Sequence, residues 1–236
     1  MITHRFKTIL GDTPRDWRVA ALSTVLDLDS CQAGDWGEDS GEVAVGVIRS
    51  TNFTNDGHFD DSDIAQRFFS KTTGESLRLC LNDILVERSG GSPVQPVGRV
   101  LQIEQDLDRM WFSNFIHLLR PNAEKIYPRF LFWVLHELHC SGIVERLQNQ
   151  TTQMRNLELR DYLHAKIPLP EPEEQKAIAD LLDAADKKLA HTKELIGIKG
   201  SLRRDSMNGP LNKLKTSLLH NLIVGKCRLD SCGKGV

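Results

Sequence analysis

The 236 residues are 40% hydrophobic and 26% charged, a globular composition that excludes a disordered or fibrous protein. The formal net charge of −2 lacks the excess of Lys and Arg that is typical of a stand-alone DNA-binding protein. No apolar run approaches the roughly 20 residues of a membrane span, and residues 1–7 lack a signal-peptide core. The five cysteines form no Cys-x-x-Cys pair, so we expect a reduced, cytoplasmic protein.

Residues 1–168 predict one globular domain of mixed α and β structure, which places the chain in the α+β class. Strands are indicated by β-branched and apolar runs that end in polar loops. A helix is indicated where Phe130, Val134 and Leu138 recur at helical spacing. The predicted strands are 42–49, 80–86, 97–103 and 111–119, and the predicted helices are 128–147 and 157–163.

The segment 166–175 predicts a domain boundary. Its prolines at positions 168, 170 and 172 hold the backbone extended, because proline restricts its own φ and disfavours the α region for the preceding residue. Glu173 and Glu174 then supply negative charge where the first turn of a helix leaves N–H groups unpaired. We therefore predict a globular domain at 1–168, a helical spacer at 169–228 and a C-terminal tail at 229–236.

The charge is distributed unevenly across this boundary. From Glu171 onward there are 12 Lys and Arg against 9 Asp and Glu, and before it there are 18 against 23. The acidic globular part argues against tight DNA binding by this chain alone, because neutralisation of phosphates supplies much of the affinity of such proteins. It is compatible with a subunit whose partners provide many of the contacts with the DNA backbone.

Apolar residues beyond the boundary recur at alternating steps of four and three, the pattern of a coiled coil, over about three heptads. The pattern breaks at 200–210, and a second helix is predicted at 211–224. Because the globular domain ends before these helices, their apolar face predicts self-pairing or partner docking rather than an internal core. The predicted partner-facing residues are Ile178, Leu181, Leu182, Ala185, Leu189, Ile196, Leu214 and Leu218.

Three motifs resemble those of the DNA-specificity subunit of type I restriction-modification systems. Residues 14–17, Pro-x-x-Trp, resemble the entry to each recognition domain of that family. Residues 82–90 resemble its Asp-Ile-Leu strand followed by Arg-Ser-Gly. Residues 167–175 and 222–226 resemble the two ends of its helical spacer, with a helix between them.

The resemblance implies a subunit that reads DNA and has no catalytic activity of its own. In that family each recognition domain reads one half of a split target sequence, and the helices set the distance between halves and dock methyltransferase subunits. One recognition domain and one spacer imply a half-size subunit, which would pair through its helices as a homodimer. The methyltransferase would use S-adenosylmethionine and any nuclease subunit ATP, whereas this chain would hold no cofactor and no metal.

Three polar loops predict the contacts with double-stranded DNA. Base readout needs forked donors and acceptors on rigid supports, such as Arg for guanine and Asn or Gln for adenine. The loops at 49–52 and 88–95 follow predicted strands, and the polar run 149–156 precedes the domain boundary. The alternative for these loops is structural: Arg88 in an ion pair, and Asn156 as the cap of the next helix. The predicted DNA-binding residues are Arg49, Ser50, Thr51, Asn52, Arg88, Ser89, Gly90, Gln95, Thr152, Gln153, Arg155 and Asn156.

Other residue groups fit enzymatic sites poorly. His136, His139 and Cys140 lack a fourth metal ligand at suitable spacing. Asp83 and Glu87 are followed by Arg where a nuclease motif would carry Lys, and no phosphate-binding Gly-x-x-x-x-Gly-Lys motif is present. We therefore expect a protein without catalytic residues.

One alternative function remains open, that of a helical assembly protein whose N-terminal domain binds a protein or a small ligand. The arrangement of Arg49 and Arg88 discriminates between the two functions. Convergence of both side chains on one concave face would favour DNA, because a duplex needs a continuous surface of donors to bases and phosphates.

Overall fold

The structure is a computed structural model that describes residues 6–70, 75, 77–92, 95–150, 154–199 and 204–227. It divides into two compact units: residues 21–165, here called the sheet unit, and residues 1–20 with 166–236, here called the helical unit. The sequence predicted a single boundary, after residue 168. The first 20 residues instead group with the C-terminal part, because the strand at Arg18–Ala21 pairs with the strand at Lys166–Leu169.

Short strands and four helices form the described part of the chain, in agreement with the predicted mixed α and β class. In chain order the strands are β1 (Phe6–Thr8), β2 (Gly11–Thr13), β3 (Arg18–Ala21), β4 (Gln32–Ala33), β5 (Val43–Ile48), β6 (Ala65–Phe69), β7 (Ile84–Glu87), β8 (Ser89–Gly91), β9 (Val100–Gln102), β10 (Met110–Phe112), β11 (Ile116–Leu119), β12 (Gln148–Gln150), β13 (Arg155–Leu157) and β14 (Lys166–Leu169). The α-helices are α1 (Pro128–Cys140), α2 (Leu159–His164), α3 (Pro172–Lys199) and α4 (Arg204–Ile223).

The strands of the sheet unit form sheets with the orders β10-β5-β6, β4-β11-β7-β9 and β12-β13-β8. β5 pairs in parallel with β10 and antiparallel with β6, while β7 lies between antiparallel β11 and β9. Every residue of β7 is buried, as expected for a strand covered on both faces. Leu85, Leu101, Ile116 and Leu118 belong to one hydrophobic core that also contains Phe112.

Helix α1 packs against β9 and is apolar on nearly all sides. Its 13 residues include buried Phe130, Val134 and Leu138 on the predicted face, and buried Leu131 and Leu135 outside it, so the helix lies inside the unit. The sequence predicted a helix as far as residue 147. The α-helix ends at Cys140 instead, because Gly142 adopts the left-handed conformation with φ of 72°, and residues 143–147 form a 3₁₀-helix.

The strand predicted at 111–119 is two strands in two different sheets. β10 pairs with β5, and β11 pairs with β7. The residues between them, 113–115, form a turn in which the Ile116 N–H donates to the Ser113 carbonyl at 2.9 Å. The break between the two strands opens a cleft in the sheet unit.

In the helical unit, the predicted entry motif and both ends of the predicted spacer meet at one buried side chain, Trp17. The Trp17 indole Nε1 donates to Glu174 Oε2 at 2.9 Å, next to the start of α3. Gly225, just after α4, lies so close to Trp17 and Pro14 that a β-carbon there would come within 2.4 Å of the Pro14 side chain. Since the start of α3 and the end of α4 both contact Trp17, the two helices form an antiparallel hairpin.

Helix α3 runs from Pro172 to Lys199, so Glu173 and Glu174 lie in its first turn and the helix ends where the predicted break at 200–210 begins. Helix α4 begins at Arg204 rather than at 211, so residues 204–210 are helical where the sequence predicted an interruption. Pro210 removes only one backbone N–H from a helix of 20 residues, and packing of α4 against α3 supports the remainder. Residues 200–203 lie outside the described part of the chain. None of the described helices has the length and apolar character of a membrane span.

The predicted partner-facing residues divide into two groups. Ile178 and Leu182 are buried in the single chain, which leaves little of either side chain exposed for a partner. Leu181 and Leu214 are exposed, and Ala185, Leu189, Leu214 and Leu218 line an open groove of about 340 Å³ between α3 and α4. The Ile196 side chain lies outside the described residues. A coiled coil between chains stays a prediction.

Candidate nucleic-acid interface

The sheet unit contains a cleft of about 540 Å³ at the break between β10 and β11. It is bounded by polar loops that follow β5 and β10, and by β8. The lining residues are Trp36, Arg49, Ser50, Thr51, Gly90, Ser113, Asn114 and Phe115. Four of them, Arg49, Ser50, Thr51 and Gly90, belong to the predicted DNA-binding residues and come from two separate parts of the sequence.

The loop after β5 is shaped by Asn52, whose amide is used inside the protein. Its Oδ1 accepts from the Arg49 backbone N–H at 2.8 Å, and its Nδ2 donates to the carbonyls of Asp60 and Asp63. The residue is 2% exposed. Asn52 was predicted to read bases, but its buried amide is committed to the loop, and its position supports a structural role instead.

A buried arginine, Arg99, attaches this loop to the sheet. Its guanidinium forms two hydrogen bonds of 3.0 Å with the Glu87 carboxylate and donates to the carbonyls of Ser50 and Phe53 at 3.0 and 2.6 Å. Arg99 is 8% exposed and Glu87 3% exposed. Gln95, another predicted DNA-binding residue, places its amide oxygen 3.0 Å from Arg99 Nη1 in the orientation that satisfies its hydrogen bonds. The ion pair thus holds the lining residues Ser50 and Thr51 in a defined position.

Arg49 lies in the cleft wall, with its guanidinium oriented by Asp63. Its Nη2 donates to Asp63 Oδ2 at 2.6 Å and to the Asp63 carbonyl at 2.8 Å. Its Nε is buried and has no hydrogen-bond partner among the described residues, which is also true of Ser50 Oγ and Ser113 Oγ. Three polar atoms of the lining residues are therefore unsatisfied in the protein alone, and buried polar groups usually find a partner.

The second predicted loop reaches the cleft through Gly90, not through Arg88. The backbone N–H of Arg88 donates to the Phe115 carbonyl at 2.8 Å, which attaches the start of β8 to the 113–115 turn. The Arg88 side chain is near His117 and does not line the cleft. Among the described residues no hydrogen bond or ion pair holds the Arg88 guanidinium. The ion pair considered as its alternative role is absent from this part of the chain.

The third predicted loop joins the second through pairing of β13 with β8. Asn156 lies opposite Ser89, and the Ser89 hydroxyl donates to the Asn156 side-chain oxygen. Arg155 lies opposite Gly91 and forms a half-exposed ion pair with Glu145 at 3.5 Å. The structure therefore brings Arg155 and Asn156 next to β8, beside Gly90. Thr152 and Gln153 lie outside the described residues.

Sequence reasoning missed the aromatic part of the cleft, Trp36 and Phe115. Trp36 lies two residues after Gly34. The Gly34 backbone passes so close to Phe112 that a β-carbon on Gly34 would lie 2.2 Å from the Phe112 carbonyl oxygen. The Arg67 guanidinium stacks on the Trp36 ring at 4.9 Å from its centroid and so fixes it. Phe115 is 42% exposed. A Trp between two glycines and the polar pair Ser113-Asn114 inside a predicted strand were the available signals.

The residues that suggested enzymatic sites have structural partners. Asp83 accepts two hydrogen bonds of 2.7 Å from Arg120, and Glu87 is held by Arg99. His136 Nε2 and Cys140 Sγ are 3.4 Å apart on α1. Within the described ranges no group of three or more His, Cys, Asp or Glu side chains is arranged to hold a metal ion.

One buried and one partly buried histidine, His117 and His139, predict acid sensitivity of the sheet unit. Burial, assisted by the charge of Arg88, lowers the pKa of His117 from 6.5 to about 4, and burial with the charge of Arg99 lowers the pKa of His139 to about 4. The unfolded chain therefore binds more protons than the folded chain between pH 6.5 and about 4. Stability is fully present above pH 6.5 and decreases as the pH falls through this interval.

We expect the free energy of unfolding to fall by up to about 1.4 kcal/mol per pH unit for each histidine. Urea unfolding at pH 7, 6 and 5 measures this change in the free energy of unfolding. Carboxylates also contribute to the pH dependence, but they do so equally in the unmodified protein and in the variant. His117→Gln removes one of the two contributions, so its unfolding free energy should depend less steeply on pH than that of the unmodified protein. Equal slopes for the two proteins would contradict the assignment.

Comparison with known proteins identifies the family. Residues 14–199 match the family model described as type I restriction modification DNA specificity domain. This match covers well over half of the chain. The chain belongs to this family. The motifs at 14–17, 82–90 and 167–175 lie wholly inside the matched range, and 222–226 lies beyond it.

Relatives of the specificity family extend the comparison. The type I restriction enzyme MjaVIII specificity subunit of Methanocaldococcus jannaschii is 27% identical over 242 residues, covering 95% of this chain and 49% of that protein. A second protein of that organism, named as the MjaX specificity subunit, is 25% identical over 207 residues, covering 85% and 47%. The chain thus spans about half the length of the curated relatives that it matches.

Solved structures of the family share the fold. The type I restriction-modification S subunit from M. genitalium superposes with a TM-score of 0.50 at 18% identity, covering 91% of this chain and 50% of that one. The HsdS subunit from Thermoanaerobacter tengcongensis gives a TM-score of 0.55 at 16% identity, covering 78% and 45%. At these identities the likeness concerns the fold alone.

Proposed function

We propose that the chain is a DNA-specificity subunit that reads one half of a bipartite target through the cleft of the sheet unit. One observation carries the proposal: Arg49, Ser50 and Thr51 line the same cleft as Gly90, although 38 residues lie between the two segments. Rigid supports hold both, because Arg99 fixes the first loop and strand pairing fixes the second. Such preorganised polar groups favour sequence-specific contacts.

Arg49 has the chemistry of a base contact in this site. Its guanidinium is oriented by Asp63 through Nη2 alone, and no further hydrogen bond to a described residue occupies its other nitrogens. Through Nη1, an arginine held in this way can donate to an acceptor on the edge of a base. Arg88 does not line the cleft, so the two arginines do not converge there, and among the predicted arginines the proposal rests on Arg49.

We also propose that the groove between α3 and α4 docks partner proteins. Leu189, Leu214 and Leu218 present apolar surface there, and the buried Asp186–Lys215 ion pair joins the helices beneath it. The partners would be methyltransferase subunits that use S-adenosylmethionine, and a second copy of this chain that reads the other half of the target. A nuclease subunit that uses ATP would complete a restriction complex. The chain itself would perform no chemistry.

The proposed function is tested by co-expressing the chain with the type I methyltransferase subunit of its host and mapping methylated adenines in the DNA. The expected result is a split motif, two short sequences separated by a fixed gap. Symmetrical halves would indicate two copies of this chain, and different halves a second reader. A well-folded complex that methylates no motif would overturn DNA reading and favour the alternative of an assembly protein.

Arg49→Ala tests the site once the motif has been mapped, by a measurement of the affinity of the complex for that motif. Loss of a hydrogen bond from a charged donor to a base costs about 1.5–3 kcal/mol, so affinity for the mapped motif should fall at least about tenfold. Arg160→Ala, at an exposed position of the same unit outside the cleft, is the matched control and should bind like the unmodified chain. Equal affinities of the Arg49 and Arg160 variants would remove Arg49 from the interface.

A further inference from the structure

We propose that the cleft holds a single nucleobase that has left the DNA double helix. The inference rests on the proposed function and names the chemical group that the cleft accepts. Side chains that read DNA in the major groove must protrude into it, because the groove itself is a concave surface about 12 Å wide. A cleft has the opposite shape, so it receives a group that protrudes from the ligand.

The size of the cleft fits a planar ring with part of its sugar. Its volume of about 540 Å³ lies in the range of small-molecule pockets, which is roughly 300–1,000 Å³. An intact duplex, whose major groove alone is about 12 Å wide, is far too large to enter it. The ligand group must therefore be unstacked before it is bound.

The lining of the cleft suits the two faces of a nucleobase. Trp36 and Phe115 contribute aromatic rings, and stacking of bases on such rings is the usual way in which proteins hold unstacked nucleotides. The Trp36 ring is fixed by Arg67, and 42% of the Phe115 residue surface remains exposed in the protein alone. An exposed aromatic beside a fixed one provides apolar surface that a ring can cover.

The polar atoms of the cleft suit the edge of a nucleobase. Ser113 is 3% exposed, and its Oγ lacks a hydrogen-bond partner among the described residues, as do Ser50 Oγ and Arg49 Nε. Hydroxyl groups both donate and accept, and the guanidinium donates, so together they match the mixed donors and acceptors of a base edge. The described residues that line the cleft include no carboxylate, so a nucleotide phosphate would not be repelled by them.

The test measures binding of the complex between the chain and its methyltransferase subunit to two duplexes that differ in one unpaired base. One duplex is fully paired and contains the mapped motif, and the other carries in addition a single bulged adenine or thymine at each position in turn. We expect at least one bulge position to raise affinity about tenfold, since stacking of one base on aromatic side chains contributes an effect of that size. Phe115→Ser should abolish this preference, whereas Leu81→Ser, at an exposed apolar position outside the cleft, should keep it.

Free dAMP and dTMP distinguish the source of the base. One outcome is that dAMP or dTMP competes with binding of the paired motif, that Phe115→Ser removes this competition, and that no bulge position is preferred. The cleft would then accept the base of a free nucleotide, and the inference that it holds a base of the DNA would be overturned. Specific binding of the paired motif with no bulge preference and no nucleotide competition would overturn the inference and leave DNA reading intact. Absence of motif binding as well would count against the proposed function itself.

Discussion

Arg99→Ala is expected to destabilise the sheet unit by about 3–5 kcal/mol, because it leaves the buried Glu87 carboxylate without its countercharge. The carbonyls of Ser50 and Phe53 lose their donor at the same time. Thermal unfolding should show a decrease in Tm of about 10 °C for a unit of this size. Binding of the target motif should weaken further than stability alone explains, since the loop that carries Arg49 is no longer attached to the sheet.

Two variants separate the role of this buried pair from general effects of lost charge. Arg99→Met combined with Glu87→Leu removes both charges, and we expect it to recover most of the stability but not the target affinity. Lys176→Met breaks the exposed Lys176–Asp180 pair, which contributes less than about 1 kcal/mol. If Arg99→Ala unfolded at the same temperature as Lys176→Met, the ion pair would not support the fold.

Leu189→Asp combined with Leu214→Asp is expected to abolish assembly with partner chains. Both side chains line the groove between α3 and α4, and Leu214 is 68% exposed, so the hairpin itself should remain folded. Two charges in an apolar contact should weaken docking by at least about 100-fold, since residues in the centre of interfaces often contribute 2 kcal/mol or more each. Co-purification with the methyltransferase subunit and the mass of the complex in solution measure this loss.

The control for the predicted loss of assembly is Leu81→Asp, which places a charge at an exposed position of the sheet unit. That variant should assemble normally. Circular dichroism of the Leu189 and Leu214 variant should retain the helical signal of the unmodified chain, which separates loss of docking from loss of folding. Normal assembly of a folded double variant would show that partners bind another surface.

Local chemistry made the polar loops predictable. Arg49, Ser50 and Thr51 stand directly after a run of β-branched residues, so a strand followed by an exposed polar turn was visible in the order of residues alone. The same order did not reveal that Asn52 is buried. Whether an amide points outward or bonds Asp60 and Asp63 depends on a loop that returns eight to eleven residues later.

Long-range packing decided the aromatic part of the site. Phe115 was predicted inside a strand, because the alternation of 111–119 cannot distinguish one strand from two strands that belong to different sheets. Trp36 enters the cleft since Gly34 and Asp35 bond to the backbone of Ile116 and Phe112, about 80 residues away along the chain. Neither contact has a local signature in the sequence.

The residue order by itself determined the family motifs, the mixed α and β class and the boundary before α3, because prolines, capping charges and apolar periodicity act within a few residues. Only the tertiary structure decided which apolar residues of the helices remain available. Ile178 and Leu182 carry the same pattern as Leu189, yet the first two are buried within the chain while Leu189 lines an open groove. Periodicity records that a face is apolar, and only the fold determines what covers it.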